Sequence, residues 1–235
     1  MSQHIINASR SHRRRALAAS GPALPTANLI QHLDATAITG LNDGDAVATW
    51  TATVGTNATQ GTAAKRPLYK TGIQNSLPIV RADGTDDYLS LTGLTQASGS
   101  LTFITAIKSA TGTSNPLFDT ATGRLMIATL SNPANTVGWY DTGWKSIAAA
   151  TTNFEILTWV LTSGGNGEVF RNGVSLGTAA YTARAIGGAT TLLSRNDGLA
   201  NLSADLGEFL IYSAALNAAT RAQAETYLNN KWSVY

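Results

Sequence analysis

Asp205-Leu-Gly-Glu-Phe-Leu-Ile-Tyr212, followed by Ser213-Ala-Ala-Leu-Asn217 and then by Ala218-Ala-Thr-Arg-Ala-Gln-Ala-Glu-Thr-Tyr-Leu-Asn-Asn-Lys-Trp232, is the stretch whose reading decides the fold. Successive strand residues point to opposite faces, so Phe209 and Ile211 face one way while Leu210 and Tyr212 face the other, and neither face can be left in water. The pattern predicts a strand inside a layered structure. On it Asp205 and Glu208, three residues apart, are expected on opposite faces. Asn217 is a suitable N-cap, and Ala224, Leu228 and Trp232 recur at i, i+4, i+8 with Tyr227 beside them. That spacing predicts one helix whose apolar stripe docks back onto the sheets.

Working outward, Leu101–Lys108 and Phe154–Thr162 repeat the two-faced pattern. Leu101, Phe103 and Ile107 oppose Ile104 and Ala106, and Phe154, Ile156 and Val160 oppose Leu157, Trp159 and Leu161. Asn172-Gly173 supplies the positive φ angles of a two-residue hairpin. Shorter β runs are expected at Leu29–Leu33, Val47–Trp50, Arg66–Tyr69, Leu77–Arg81, Tyr88–Leu91, Pro116–Asp119, Arg124–Leu130, Val137–Tyr140 and Thr190–Ser194, with Thr51–Lys65 as a long loop. The 22 glycines and only 13% charged residues among 235 fit short strands joined by tight turns. The class is mostly β, with one principal domain over residues 28–235. The absence of cysteine excludes disulfides and thiolate metal sites, and no 18-residue apolar run is available to cross a membrane.

Charge is unevenly placed. Residues 1–20 hold Arg10, Arg13, Arg14 and Arg15 and no acid, leaving twelve basic against fourteen acidic side chains in the rest. Residues 1–27 lack strand alternation and end in Gly21-Pro-Ala-Leu-Pro25, so they read as a basic arm and linker outside the core. The apolar run after Arg15 is too short for a secretory signal, and the chain is expected to keep its own N-terminus. With no aromatic residues interleaved among the four arginines, nucleic acid is a poorer partner for the arm than a protein surface.

His32-Leu-Asp-Ala35, Asn42-Asp-Gly-Asp-Ala-Val-Ala-Thr-Trp50, Arg66-Pro67, Val80-Arg-Ala-Asp-Gly-Thr-Asp-Asp-Tyr-Leu89, the Asn172-Gly173 hairpin and the ending from Glu208 to Trp232 together resemble the concanavalin A-like lectin/glucanase superfamily. The likeness is to the laminin-G-like domains of phage and bacterial surface proteins, and it covers residues 28–235. It implies a two-sheet antiparallel jelly-roll sandwich with a short C-terminal helix. Combined with the arm, it implies a non-enzymatic structural protein of a bacteriophage particle, a capsid decoration or tail-accessory subunit. Such a subunit would be assembled in the host cytoplasm, form a homo-oligomer in the virion, and dock on other virion proteins through Arg10, Arg13, Arg14 and Arg15. The alternative is a carbohydrate-binding, lectin-like module, and a third reading is a glycoside hydrolase.

No catalytic residue and no cofactor emerge from the sequence. Glycosidases need two carboxyl groups flanking the bond, whereas Glu155, Glu168, Glu208 and Glu225 each stand alone on their element. Asp83, Asp86 and Asp87 could offer oxygen ligands to calcium, but Asp-Gly and Asp-Asp before a strand are ordinary turn chemistry, and the turn is preferred. Trp139-Tyr140-Asp141-Thr-Gly-Trp144 is the best glycan candidate, because aromatic faces stack on sugar C–H surfaces beside a carboxylate. The competing assignment puts one tryptophan between the sheets and the other over an edge. Arg195-Asn-Asp-Gly198 is a polar turn open to the same two readings.

Overall fold

A computed structural model describes residues 21–110, 115–131 and 135–235, so Arg10, Arg13, Arg14 and Arg15 lie outside the described residues. In chain order the strands are β1 (Leu29–Asp34), β2 (Thr49–Trp50), β3 (Ala58–Thr59), β4 (Leu68–Gln74), β5 (Leu77–Asp83), β6 (Leu89–Ser90), β7 (Gln96–Gly99), β8 (Leu101–Ser109) and β9 (Asn115–Thr120). The second half supplies β10 (Leu125–Ser131), β11 (Thr136–Tyr140), β12 (Trp144–Ala149), β13 (Phe154–Leu161), β14 (Asn166–Arg171), β15 (Val174–Ala180), β16 (Arg184–Ile186), β17 (Thr190–Leu192), β18 (Ser203–Tyr212) and the helix α1 (Ala218–Trp232). The protein is mostly β, a jelly-roll sandwich of two antiparallel sheets. The first sheet has the order β15-β14-β13-β8-β18-β5-β4 with β1 also paired to β18, the second β12-β11-β10-β9-β17-β6-β3-β2, and β16 and β7 form a small separate pair.

β18 organises the first sheet as its sequence requires. One edge pairs with β8, while the other is shared, its beginning by β5 and its end by β1. Phe209 and Ile211 enter the core between the sheets, where Phe103, Phe118 and Phe209 lie with ring centroids 5.2–6.4 Å apart. Leu210 and Tyr212 face outward into a second core with Ile79, Ile104 and Ile156 under α1. Asn217 caps that helix by accepting from the Thr220 N–H at 2.9 Å, and Ala224, Leu228 and Trp232 are buried against the sheet. The molecule is therefore three layers deep on this side, and α1 covers an outer face.

Several expectations are corrected. A register shift between Leu206 and Glu208 resets the strand's alternation, so Asp205 pairs with Lys108 and Glu208 with Ala106, which share one face of β8. Asp205 and Glu208 thus lie on the same outer face. The shift falls at Gly207, where a Cβ would come within 2.7 Å of the Trp232 ring, so only glycine lets the indole lie on the strand. Thr51–Lys65 is not all loop: it contains β3 and a 3₁₀ turn at Ala63–Lys65. β7, β12 and β16 were not foreseen, because their polar and small residues carry no alternating apolar signal. Residues 21–25, read as linker, lie against the helix layer. Leu24 packs there, Ala23 O accepts from Gln223 and Pro25 O accepts from the Tyr212 hydroxyl. The Asn172-Gly173 hairpin is as expected, with φ of 52° and 79° joining β14 to β15.

Candidate functional site

On the outer face of the first sheet the carboxylates are answered by basic side chains. Glu208 shares a 2.7 Å hydrogen bond with His32 and accepts from Lys231 and from the Trp232 indole at 2.8 and 3.0 Å. Lys231 also reaches Asp34 at 2.6 Å. Burial alone would push the Lys231 ammonium down, but Glu208 and Asp34 outweigh it and hold its pKa up. Arg81 grips Asp205 with two bonds of 2.6 and 2.8 Å, and Arg221 grips Glu225 while lying 3.7 Å above the Phe170 ring. The Lys231 and Trp232 contacts and the Arg221 stacking on Phe170 clamp helix to sheet, while Arg81–Asp205 ties β5 to β18 and Arg221–Glu225 lies within α1. His32, Asp34 and Glu208 are close enough to resemble a metal-ligand set, but the Lys231 ammonium already bridges two of them.

The second sheet presents a different outer face. Its register aligns one residue from every strand in a single row: Trp144, Tyr140, Met126, Asp119, Thr191, Ser90, Thr59 and Thr49. Residues directly opposite in an antiparallel pair share a face, so all eight project to the side away from the core. Their strand neighbours Trp139, Ile127, Phe118, Leu192 and Leu89 point into it. The row runs from an aromatic end to a hydroxyl end. The Arg195–Gly198 turn is pinned across its middle by the Asn196 N–H donating to Asp119 Oδ2 at 3.0 Å. On the aromatic side is a cavity of about 200 Å³ lined by Arg124, Met126, Tyr140, Trp144 and Arg195. On the hydroxyl side is one of about 240 Å³ that includes Tyr88, Ser90, Thr191 and Asp197.

Charge in the aromatic cavity is incompletely paired. Asp119 has no exposed surface, and its burial, opposed by the Asn196 N–H and by Arg124, pushes its carboxyl up to about 6. Its Oδ1 has no hydrogen-bond partner, nor has the buried Nε of Arg124, and the two are 3.8 Å apart. Arg195 is held by Asp197 at 2.7 Å, which keeps that carboxyl below its usual range. Tyr140 and Trp144 meet edge to face at 5.6 Å, and the Arg124 guanidinium lies 5.9 Å from the Tyr140 ring.

The stretch Trp139–Trp144 is the hairpin between β11 and β12, and its members separate. Trp139 is fully buried between the sheets, and Asp141 is buried in the turn. Desolvation would raise the Asp141 pKa, but the backbone N–H groups of Thr182 and Thr142, the Trp139 indole and Lys145 outweigh it and bring it down. Those contacts occupy both carboxylate oxygens, so Asp141 holds the hairpin and does not face a ligand. Tyr140 and Trp144 are half-buried at the surface. Asp83, Asp86 and Asp87 do come together on one loop, yet two of their oxygens accept backbone N–H groups, from Asp83 and Thr85. Arg124 and Asp119 were missed, although an acid and a base interrupting two apolar runs on either side of a turn mark a hairpin with one polar face.

No family model and no curated protein matches the sequence. Solved structures share the fold. The chain superposes on Trypanosoma rangeli sialidase in complex with the inhibitor DANA with a TM-score of 0.57 at 11% identity, over 89% of this chain and 34% of that one. The binding domain of Paraclostridial Mosquitocidal Protein 1 gives 0.56 at 13%, over 87% and 52%. Domain 4 of a GH43 extracellular arabinanase from Geobacillus stearothermophilus, in complex with arabinotriose, gives 0.53 at 15%, over 84% and 98%. The chain spans about a third of the sialidase. At such identities the likeness is one of fold alone, a two-sheet antiparallel β-sandwich.

Proposed function

We propose that this chain is a carbohydrate-binding, lectin-like module that holds a glycan on the outer face of its second sheet without cleaving it. The observation that carries the reading is the eight-residue row, which sets Trp144 and Tyr140 at the rim of a cavity beside two arginines and continues into a line of hydroxyls. Aromatic faces take sugar C–H surfaces, and a few fixed polar groups take the hydroxyls. The arabinanase domain described with arabinotriose, and the toxin binding domain, are folds of this kind used for binding. Binding is favoured over cleavage because Asp119 is fully buried under the turn and Asp197 is committed to Arg195, so that neither acid beside these two cavities is free to flank a glycosidic bond. A glycan array followed by titration of the hits tests this. Saccharide binding that falls about five- to thirtyfold on Trp144→Ala is expected, since stacking contributes on the order of 1–2 kcal/mol. Binding indifferent to that change would remove the site.

A second reading keeps the basic arm as a docking segment for a protein surface such as that of a phage particle, with the sandwich facing outward. It is supported by the separation of charge between residues 1–20 and the rest of the chain. The two readings are compatible.

A further inference from the structure

We infer that the aromatic cavity takes a carboxylated sugar, with the Arg124 guanidinium holding the carboxylate and Trp144 and Tyr140 bracketing the ring. This rests on the carbohydrate-binding reading and narrows it to an acidic ligand. Four other arginines, Arg81, Arg171, Arg195 and Arg221, each hold a carboxylate oxygen within 2.5–2.7 Å. Arg124 does not. Its nearest acid atom is Asp119 Oδ1 at 3.8 Å, outside hydrogen-bonding distance, and the bond it makes is to the thioether sulfur of Met126 at 3.7 Å, a weak acceptor. A guanidinium presents five donors in a planar fork that a carboxylate satisfies two at a time, and a buried donor left unpaired is costly. The Nε of Arg124 is closed off beside Asp119, as that of Arg184 is also buried without a partner, but 44% of the Arg124 side chain stays open, so an acceptor from outside meets its terminal nitrogens.

The surroundings select for charge. Arg195 lines the same cavity with its charge already answered by Asp197, and the carboxylate closest to Arg124 is the one whose ionisation burial opposes, so Arg124 carries the charge left to be met. The volume of about 200 Å³ lies below the 300–1,000 Å³ of a typical small-molecule site and suits one ring rather than a chain. A carboxylate on that ring would complete the fork, and its C–H faces would meet the two aromatic rings.

Full-length protein is titrated with two carboxylated probes, a galacturonic acid tetramer and N-acetylneuraminic acid linked to lactose. The neutral controls are the methyl-esterified tetramer and lactose. The expected result is that at least one carboxylated probe binds at least about tenfold more tightly than its neutral partner, and that Arg124→Gln abolishes this preference at unchanged melting temperature. Whichever probe shows the preference identifies the source of the carboxylate. If Arg124→Gln unfolds the protein, the preference is read from wild type by its loss with added salt, since an ion pair is screened and stacking is not. Neutral probes that bind as well as charged ones, with Trp144→Ala still abolishing binding, would overturn the acidic specificity and leave the carbohydrate reading standing. No binding by any of the four, with an empty glycan array, would overturn both.

Discussion

The outer faces of the two sheets are built from the same alternating strands, and they treat charge in opposite ways. On the first, Asp34, Asp205, Glu208 and Glu225 each have a basic partner within 2.8 Å, and two of these partners, Lys231 and Arg221, come from α1 itself. On the second, Asp119 and Arg124 stand 3.8 Å apart with unpartnered atoms, next to a half-buried aromatic pair that no helix among the described residues covers. Polar groups inside a finished layer are saturated, because an unpaired buried charge is expensive. Unsaturated groups at an open cavity mark a surface that something else completes. The contrast assigns stability to the first face, and the second is the one we propose for binding.

The sharpest way to break this assignment is at Trp232, which stacks on Phe154 at 5.8 Å, lies over Gly207 and donates to Glu208. Trp232→Ala should cost about 3–5 kcal/mol in chemical denaturation, by emptying a closed core and removing a donor from a buried carboxylate. Leu228→Ala should cost about 2–5 kcal/mol by the cavity alone. A loss under about 1 kcal/mol for both would mean that the helix is an appendage and that the first face is also open.

Asp119 gives the second test. Its folded pKa of about 6 lies above the ordinary 3.8, so between those values the folded state holds more protons than the unfolded one. Its contribution to stability is therefore largest below about pH 4 and is lost as pH rises through about 6. Asp119→Asn should abolish that dependence. At pH 7.5 the variant should be more stable than wild type by about 1–2 kcal/mol, less than the ~3 that two pKa units would give, because the neighbouring cavity admits water. At pH 4 the two should converge. Affinity for a carboxylated sugar should also rise as pH falls through about 6, since protonated Asp119 no longer competes for Arg124 while the ligand's own carboxyl stays ionised. Denaturation curves for both proteins at the two pH values are the measurement, and curves that stay parallel would show that Asp119 ionises freely.

Most of the first face was legible in the sequence, because apolar side chains at strand and helix spacing report burial directly. Phe209 and Ile211 against Leu210 and Tyr212, and Ala224, Leu228 and Trp232, all lie where alternation and helical period put them. The shared face of Asp205 and Glu208 was not legible, because a bulge changes the count by one residue and leaves only a glycine as its mark. The second face was half legible. Tyr140 and Trp144 stood out as aromatics around a polar turn, but Asp119 and Arg124 join them only through strand register, a long-range property set by pairings among β9, β10, β11 and β12. Which tryptophan of the hairpin faces inward also depends on that register.

Trp144 measures the second face from the stability side. Its ring touches Tyr140 at the surface and closes no core, so Trp144→Ala should change the unfolding free energy by about 1 kcal/mol or less, the worth of one edge-to-face pair. A much larger loss would make the aromatic pair a structural clasp and transfer the second face to the first category.

The smallest effect is expected from the arm, and it tests whether the two faces are independent of it. Residues 21–25 run against the helix layer on the outer side of the first sheet, through Leu24, Ala23 and Pro25, whereas the aromatic cavity opens on the outer side of the second sheet. Removing residues 1–20 while keeping residue 21 onward preserves those contacts. The melting temperature and the affinity for any sugar bound at Trp144 should then both be unchanged, while attachment to a partner protein surface, read by co-sedimentation, should be lost and should fall with salt over the ~8 Å range of ionic screening. Replacing Arg13, Arg14 and Arg15 together with alanine should weaken attachment and flatten its salt dependence. A drop in melting temperature on truncation would mean that the arm belongs to the helix layer, and sugar affinity that fell with it would place the arm at the second sheet and end the separation of the two faces.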